Sequence, residues 1–170
     1  MNSFKIRFEA EKLYTKEEQT TMFQNISAFI NAVRTVNKSE SIEAFYPGED
    51  ELHQAAVPDW KHLPTLRIAL VEDKVVIIKI VIGDFALDPV YDLAEALLLF
   101  VLITHSFYTA FPHKYGQAFT VLEAFALGSS PLGLGRDQKD FFLKLIQTLP
   151  DNECPGDSCE DVNETDVYTE

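Results

Sequence analysis

The sequence predicts an α+β domain in which an antiparallel sheet of roughly three to four strands packs with about four helices. Two adjacent apolar segments with a charged turn between them predict a β-hairpin. Segments with apolar residues at helical spacing lie before and after the hairpin, and do not alternate with single strands. That order is typical of an antiparallel sheet with segregated helices, one of them long, buried and central.

The N-terminal region predicts a strand followed by a helix. Apolar and charged residues alternate from Phe4 to Glu11, which is the period of a strand with one buried face. Thr15 precedes Glu18 by three residues, the spacing of a capping box, in which each side chain bonds the other residue's backbone N–H. Apolar residues then recur at helical spacing to about Asn37, so this helix is expected to pack on the sheet.

The middle of the chain predicts an irregular connection and then the hairpin. Residues 38–64 are expected to be mostly irregular, with a candidate short strand from Ile42 to Tyr46. The hairpin arms are predicted over 66–71 and 75–82. The second arm is apolar on both faces, which predicts a central strand in a sheet covered on both sides, or a strand at an oligomer interface.

The C-terminal half predicts three helices. Asp88 and Pro89 have the residue types preferred at the N-cap and at the first helical position, so one helix is expected to begin there. Its apolar run is too short for a membrane span, which needs about 20 residues, and we expect it to be the buried central helix. The three helices are predicted over 88–111, 115–127 and 136–149.

The charge is strongly acidic and unevenly distributed. The formal net charge is −13, from 14 basic and 27 acidic residues. Residues 151–170 contribute eight carboxylates and no Lys or Arg, so they account for −8 of it. We expect residues 1–149 to form one domain and residues 150–170 an acidic tail too poor in apolar residues to order by itself.

This acidity favours a protein-binding module that engages a basic or cationic protein surface. Inhibitor, immunity-type, chaperone-like and nucleic-acid-mimicking proteins share this small size and low pI. Negative charge repels phosphate, so neither direct nucleic-acid binding nor binding to an anionic membrane is expected. The alternative interpretation of the same composition is that the acidic surface only keeps the protein soluble. The predicted contact residues, besides the tail, are Glu49, Asp50, Glu51 and Trp60.

Cysteine usage bears on the compartment. Cys154 and Cys159 are the two cysteines, and both lie in the acidic tail. The core therefore needs no oxidising compartment, and the N-terminus lacks the apolar region of a signal peptide, so a cytoplasmic location is expected. The two cysteines lack nearby zinc ligands and are expected to be free thiols. The sequence is also compatible with a homodimer.

A second hypothesis is a small α+β enzyme. Glu95 and Glu123 are lone carboxylates in apolar helical segments, and His105 follows Glu95 by ten residues. Burial raises the pKa of a carboxyl group and so makes it a better proton donor or acceptor near neutral pH. The three residues are therefore candidate acid/base groups of a hydrolase or an isomerase. Alternatively, both glutamates lie on the polar edges of their helices. A third hypothesis is a structural subunit with residues 75–82 at its interface.

Metal and cofactor signals are weak. Asp84, Asp88 and Asp92 cluster near a predicted helix start and could supply oxygen ligands to Mg²⁺ or Ca²⁺. Carboxylates in a first helical turn also complement the helix dipole, which explains the same residues without a metal. The glycine-rich segment 128–135 lacks both the dinucleotide and the phosphate-loop patterns. No cofactor or metal is therefore expected.

Overall fold

The fold is α+β, as predicted: the described residues form five helices and a three-stranded antiparallel sheet. The computed structural model describes residues 3–38, 64–71, 74–82, 85–107, 116–129 and 133–150. The elements are α1 (Ser3–Glu11), α2 (Lys16–Asn37), β1 (Pro64–Val71), β2 (Lys74–Ile82), β3 (Phe85–Ala86), α3 (Leu93–Ser106), α4 (Gly116–Leu127) and α5 (Arg136–Ile146). Within those ranges, every helix is too short or too polar to cross a membrane.

The predicted N-terminal strand is wrong, because this segment is helix α1. Ile6 and Ala10 are buried, whereas Phe4 and Phe8 are 75% and 48% exposed. A strand would place all four on one face, but a helix groups residues four positions apart. The four alternating residues form two pairs spaced four apart, Phe4 with Phe8 and Ile6 with Ala10. So short an alternation therefore fits a helix as well as a strand.

Helix α2 begins as predicted, at a capping box. The Thr15 hydroxyl accepts a hydrogen bond from the backbone N–H of Glu18 at 3.2 Å, and the Glu18 carboxylate accepts one from the backbone N–H of Thr15 at 2.7 Å. Hydrogen bonds from Thr15, the backbone one first, lower the pKa of Glu18. The helix ends at Asn37, and the next residue, Lys38, caps it in a left-handed conformation with φ of 52°.

The predicted hairpin is confirmed, and its second arm is the central strand. β2 pairs with β1 on one side and with β3 on the other. On the inner face of this pair, Leu66, Ile68, Ile78 and Ile80 are buried, and Ile82 at its end is partly buried. On the other face, Arg67 and Lys79 lie directly opposite each other and are exposed. The cover predicted on both faces of the second arm is therefore absent at Lys79, and the alternative, a strand at an oligomer interface, stays a prediction.

The predicted helix start at Asp88 and Pro89 is wrong. Helix α3 begins at Leu93, and the Asp92 side chain caps it by accepting a hydrogen bond from the backbone N–H of Glu95 at 2.8 Å. It ends at Ser106, before the predicted end at 111. Two Asp residues four positions apart both satisfied the cap preference, and the sequence alone favoured the one followed by proline.

The segment before α3 instead extends the sheet pairing. Leu87 donates its backbone N–H to Ile80, and Val90 exchanges two backbone hydrogen bonds of 2.8 Å with Ile78. The four residues 87–90 therefore lie opposite the three residues 78–80 of β2, so the segment carries one extra residue. Pro89 lies in this bulge, where its missing N–H leaves no sheet hydrogen bond unmade.

The core lies between the sheet and the helices. Helix α3 buries ten of its fourteen residues and packs on α1, α2, β1 and β2. Phe125 is fully buried, with its ring centroid 5.5 Å from that of Phe29 and 5.2 Å from that of Phe142. Phe29, Ile78 and Phe142 are buried, as their apolar spacing predicts, whereas Leu98 is only partly buried although it lies in an apolar run.

The two predicted C-terminal helices are confirmed, with adjusted ends. Helix α4 closes at Gly128, whose φ of 62° is the left-handed conformation that glycine adopts most readily. Helix α5 ends at Ile146, three residues before its predicted end. The candidate short strand at 42–46 lies outside the described residues.

Candidate functional site

Two of the predicted acid/base residues, His105 and Glu123, meet in the structure. His105 lies in the last turn of α3, and its Nε2 contacts Oε1 of Glu123 on α4 in a short hydrogen bond. The side chains are 16% and 30% exposed, so the pair is largely shielded from water and still accessible.

Tyr14 completes the arrangement from a third element. It lies in the turn between α1 and α2, and its hydroxyl is 2.9 Å from Nδ1 of His105. Both imidazole nitrogens therefore have a partner, a phenol on one side and a carboxylate on the other. The order of hydroxyl, imidazole and carboxylate is the one found in hydrolytic triads, with tyrosine in the place of serine. We refer to it as the Tyr14–His105–Glu123 chain.

The protons in this chain can be placed from the chemistry of its groups. Burial raises the pKa of Tyr14, and the charges of Glu123 and Glu18 add to the effect, so the phenol keeps its proton at neutral pH. It donates that proton to Nδ1 of a neutral imidazole, whose Nε2–H then donates to Glu123. In the imidazolium form, Nδ1–H donates to the phenol oxygen. The chain can therefore gain a proton without losing either contact.

Gln19 holds the turn that carries Tyr14. Its side chain is buried and donates two hydrogen bonds, of 2.7 Å to the backbone carbonyl of Glu11 and of 2.8 Å to that of Tyr14. Sequence reasoning missed both Gln19 and Tyr14. For Gln19 a signal existed, because it lies three residues before Met22 on the buried stripe of α2. Nothing in the sequence pointed to Tyr14.

Glu95 does not join the site. Its carboxylate forms an ion pair of 2.9 Å with Arg7 of α1, and both side chains are more than 40% exposed. It precedes His105 by ten residues on one helix, a rise of about 15 Å. The structure thus brings together two of the three candidate catalytic residues and leaves Glu95 in a surface ion pair.

The weak metal candidates occupy structural positions where they are described. Asp92 caps α3, and the backbone N–H of Asp88 donates to the Ser3 hydroxyl at 2.9 Å. Asp84 lies outside the described residues. Among the residues whose positions are given, no group of three or more His, Cys, Asp or Glu side chains could hold a metal ion.

The predicted partner-binding residues all lie outside the described ranges. They are Glu49, Asp50, Glu51 and Trp60, and the same holds for the tail and its two cysteines. The formal charge is nevertheless distributed unevenly between the described residues and the rest of the sequence. The described residues contain twelve basic and ten acidic side chains, a net charge of +2, whereas the remainder contains two basic and seventeen acidic ones, a net charge of −15.

Comparison of the chain with protein-family models, with curated proteins and with solved structures found no match.

Proposed function

We propose that this protein is an intracellular binding module that engages a basic protein surface through its acidic segments. The observation that carries the proposal is the uneven charge along the sequence: the described residues have a net charge of +2, and the remaining residues have −15. The two most acidic segments are residues 39–63, with a net charge of −5, and residues 151–170, with −8. Concentrated negative charge attracts a cationic surface over several ångströms and speeds encounter with it.

The distribution supports binding over mere solubility. A chain that uses acidity only to stay in solution can spread its carboxylates over the exposed sides of its helices. On α1 and the residue after it, the charges are balanced instead, because Arg7 pairs with Glu11 at 2.8 Å and Lys12 pairs with Glu9 at 3.3 Å. The surplus lies in two continuous segments, which suits recognition by one complementary surface.

The test is capture of the partner from the native source, followed by kinetics with the purified pair. Replacement of Glu49, Asp50 and Glu51 by Lys should slow association more than it speeds dissociation, because peripheral charges mainly steer encounter. Deletion of residues 151–170 should act in the same direction. Binding should also weaken steeply as salt rises, since exposed charges are screened beyond about 8–10 Å.

A matched control carries three reversals on the packed body, at Glu17, Asp137 and Asp140, which are exposed on α2 and α5. This control changes the net charge by the same amount and should leave association nearly unchanged. Equal effects of the two triple variants would mean that only total charge matters. Binding that is indifferent to salt and to both acidic segments would contradict the proposal.

The Tyr14–His105–Glu123 chain supports a second candidate function, a small acid/base enzyme. Glu123 would orient the imidazole of His105, and His105 would take a proton from the Tyr14 hydroxyl or from a bound water. A hydrolase or isomerase of this kind should lose activity with His105→Ala and with Glu123→Gln. Glu95→Gln is the matched control, because Glu95 lies in its separate ion pair with Arg7. Equal loss from all three variants would contradict this site.

A further inference from the structure

Helix α1 presents a bulky apolar face to solvent. Phe4 and Phe8 are 75% and 48% exposed, and Phe4 is more exposed than any other large apolar side chain that the structure describes. Their rings stack with centroids 6.0 Å apart, and Nζ of Lys12 lies 4.1 Å from the ring centroid of Phe8. We call Phe4, Phe8 and Lys12 the outer α1 face. The opposite side of the helix buries only Ile6 and Ala10.

The charges beside this face follow an order that disfavours α1 by itself. At about 100° per residue, Arg7 and Glu11 lie on one side of the two rings. Lys5 and Glu9 lie on the other side. Each side therefore has a cation nearer the N-terminus and an anion nearer the C-terminus. The helix dipole favours the reverse order, and so do ion pairs between residues four positions apart.

We propose that the outer α1 face binds the same face of a second copy, with the two helices antiparallel about a two-fold axis near Phe8. About such an axis, equivalent sides of the two helices lie next to each other and run in opposite directions. Lys5 of each copy then approaches Glu9 of the other. On the other side of the rings, Arg7 of each copy approaches Glu11 of the other. The charge order that disfavours a single α1 thus makes two copies complementary.

The aromatic side chains fit the same axis. With the axis at Phe8, the two Phe8 rings meet. Phe4 of each copy lies level with Lys12 of the other, because both are four residues from the axis. Aromatic rings pack against each other and attract cations to their faces, so the centre and both ends of the contact are complementary.

The size of the face predicts a weak dimer. A contact between two nine-residue helices is at the low end for protein interfaces, so we expect a dissociation constant of about 0.1–1 mM. The net charge of −13 opposes association, but at physiological ionic strength charges more than about 8 Å apart are largely screened. The chain is therefore monomeric at micromolar concentrations. This inference stands apart from the proposed function, since it uses neither acidic segment.

Sedimentation equilibrium of the full chain at physiological salt, from about 10 µM to about 1 mM, tests the proposal. The average mass should rise from that of the monomer towards that of the dimer. Amide exchange in α1 should slow over the same range, because the second copy covers the helix.

Phe8→Ser should weaken association about tenfold or more, because an aromatic side chain at the centre of a contact contributes most to binding. Leu127→Ser is the matched control. Leu127 is an apolar side chain of α4 that is 41% exposed, so its replacement should leave association unchanged.

Charge variants test the antiparallel arrangement. Lys5→Glu and Glu9→Lys should each abolish self-association, since each places like charges opposite each other. An equimolar mixture of these two variants should associate again, because every cation of one then faces an anion of the other. This rescue also separates loss of the contact from unfolding of α1. Lys144→Glu, an exposed charge reversal on α5, should associate as the wild type does.

Three results would overturn the proposal. One is a wild-type chain that stays monomeric at about 1 mM. Another is a dimer that Phe8→Ser does not weaken, which would place the contact on a different surface. The third is a mixture of Lys5→Glu and Glu9→Lys that associates no better than either variant alone.

Discussion

Replacing Phe125 with Ala should remove a large part of the stability of the fold. Phe125 is fully buried, and its ring contacts those of Phe29 and Phe142 at centroid distances of 5.5 Å and 5.2 Å. Truncation of a core phenylalanine costs about 3–5 kcal/mol, and aromatic pairs contribute about 0.5–1.5 kcal/mol beyond their buried area. Two such pairs place Phe125→Ala in the upper part of the first range, against a typical stability of about 5–15 kcal/mol.

Urea unfolding followed by helical circular dichroism measures this loss, and the melting temperature should fall by about 6–20 °C. Phe125→Leu keeps most of the volume and should cost less. The control is Phe4→Ala, at a site 75% exposed, where a change within about 0.5 kcal/mol is expected. A loss below about 1.5 kcal/mol at Phe125, or an equal loss at Phe4, would refute the assignment of this aromatic centre.

Three further outcomes follow from the same structure. Thr15→Ala should destabilise the fold by about 0.5–2 kcal/mol. Because the pKa of Glu18 is lowered in the folded state, its contribution to stability is present above the ordinary carboxyl pKa and lost as the pH falls through the lowered value. Glu18→Gln, which removes the titrating group, should flatten that loss in urea titrations at acid pH. Ile6→Ala should lower the free energy of unfolding by about 2–5 kcal/mol, whereas Phe8→Ala on the opposite side of α1 should lower it far less. Similar losses at the two positions would support a strand in place of α1. Deletion of residues 151–170 should leave the melting temperature nearly unchanged in calorimetry, and a drop of several degrees would show that they pack on the body.

The parts of the fold that were predicted correctly depend on unambiguous local signals. The β1–β2 hairpin comes from two short apolar segments rich in Val and Ile with a charged turn between them, a combination that favours strands over helices. The capping box at Thr15 is a contact between near neighbours, so its spacing alone determines it. The helix closed by Gly128 follows from the one residue type that readily adopts positive φ.

The errors arise where two structures share one local pattern. In α1, the alternation of Phe4, Ile6, Phe8 and Ala10 suits both a strand and a helix, and packing against α3 decides the outcome. At the start of α3, Asp88 and Asp92 both fit a cap. Because residues 87–90 pair with β2, the helix begins only after Asp92. The local sequence does not indicate such a contact between segments that are separated along the chain.

The candidate site was predictable in residue type but not in geometry. His105 and Glu123 stood out as polar residues in apolar segments, and the structure joins them. Glu95 stood out for the same reason and is paired with Arg7 instead, since its position along α3 faces α1. Tyr14 comes from a third element, and only the packing of α1 and α2 against α3 brings it to His105.

The attachment of α1 has a consequence for local unfolding. Polar contacts tie its two ends and middle to the α3 region, through Ser3, Arg7 and Tyr14, and its buried apolar side chains are only Ile6 and Ala10. A helix that buries so little can open at a free energy well below that of global unfolding, and its amides should be among the first to exchange with solvent. Gln19 on α2 holds the backbone carbonyls of both Glu11 and Tyr14, so an opening of α1 reaches the contact between Tyr14 and His105 only when the hydrogen bond to Tyr14 also breaks.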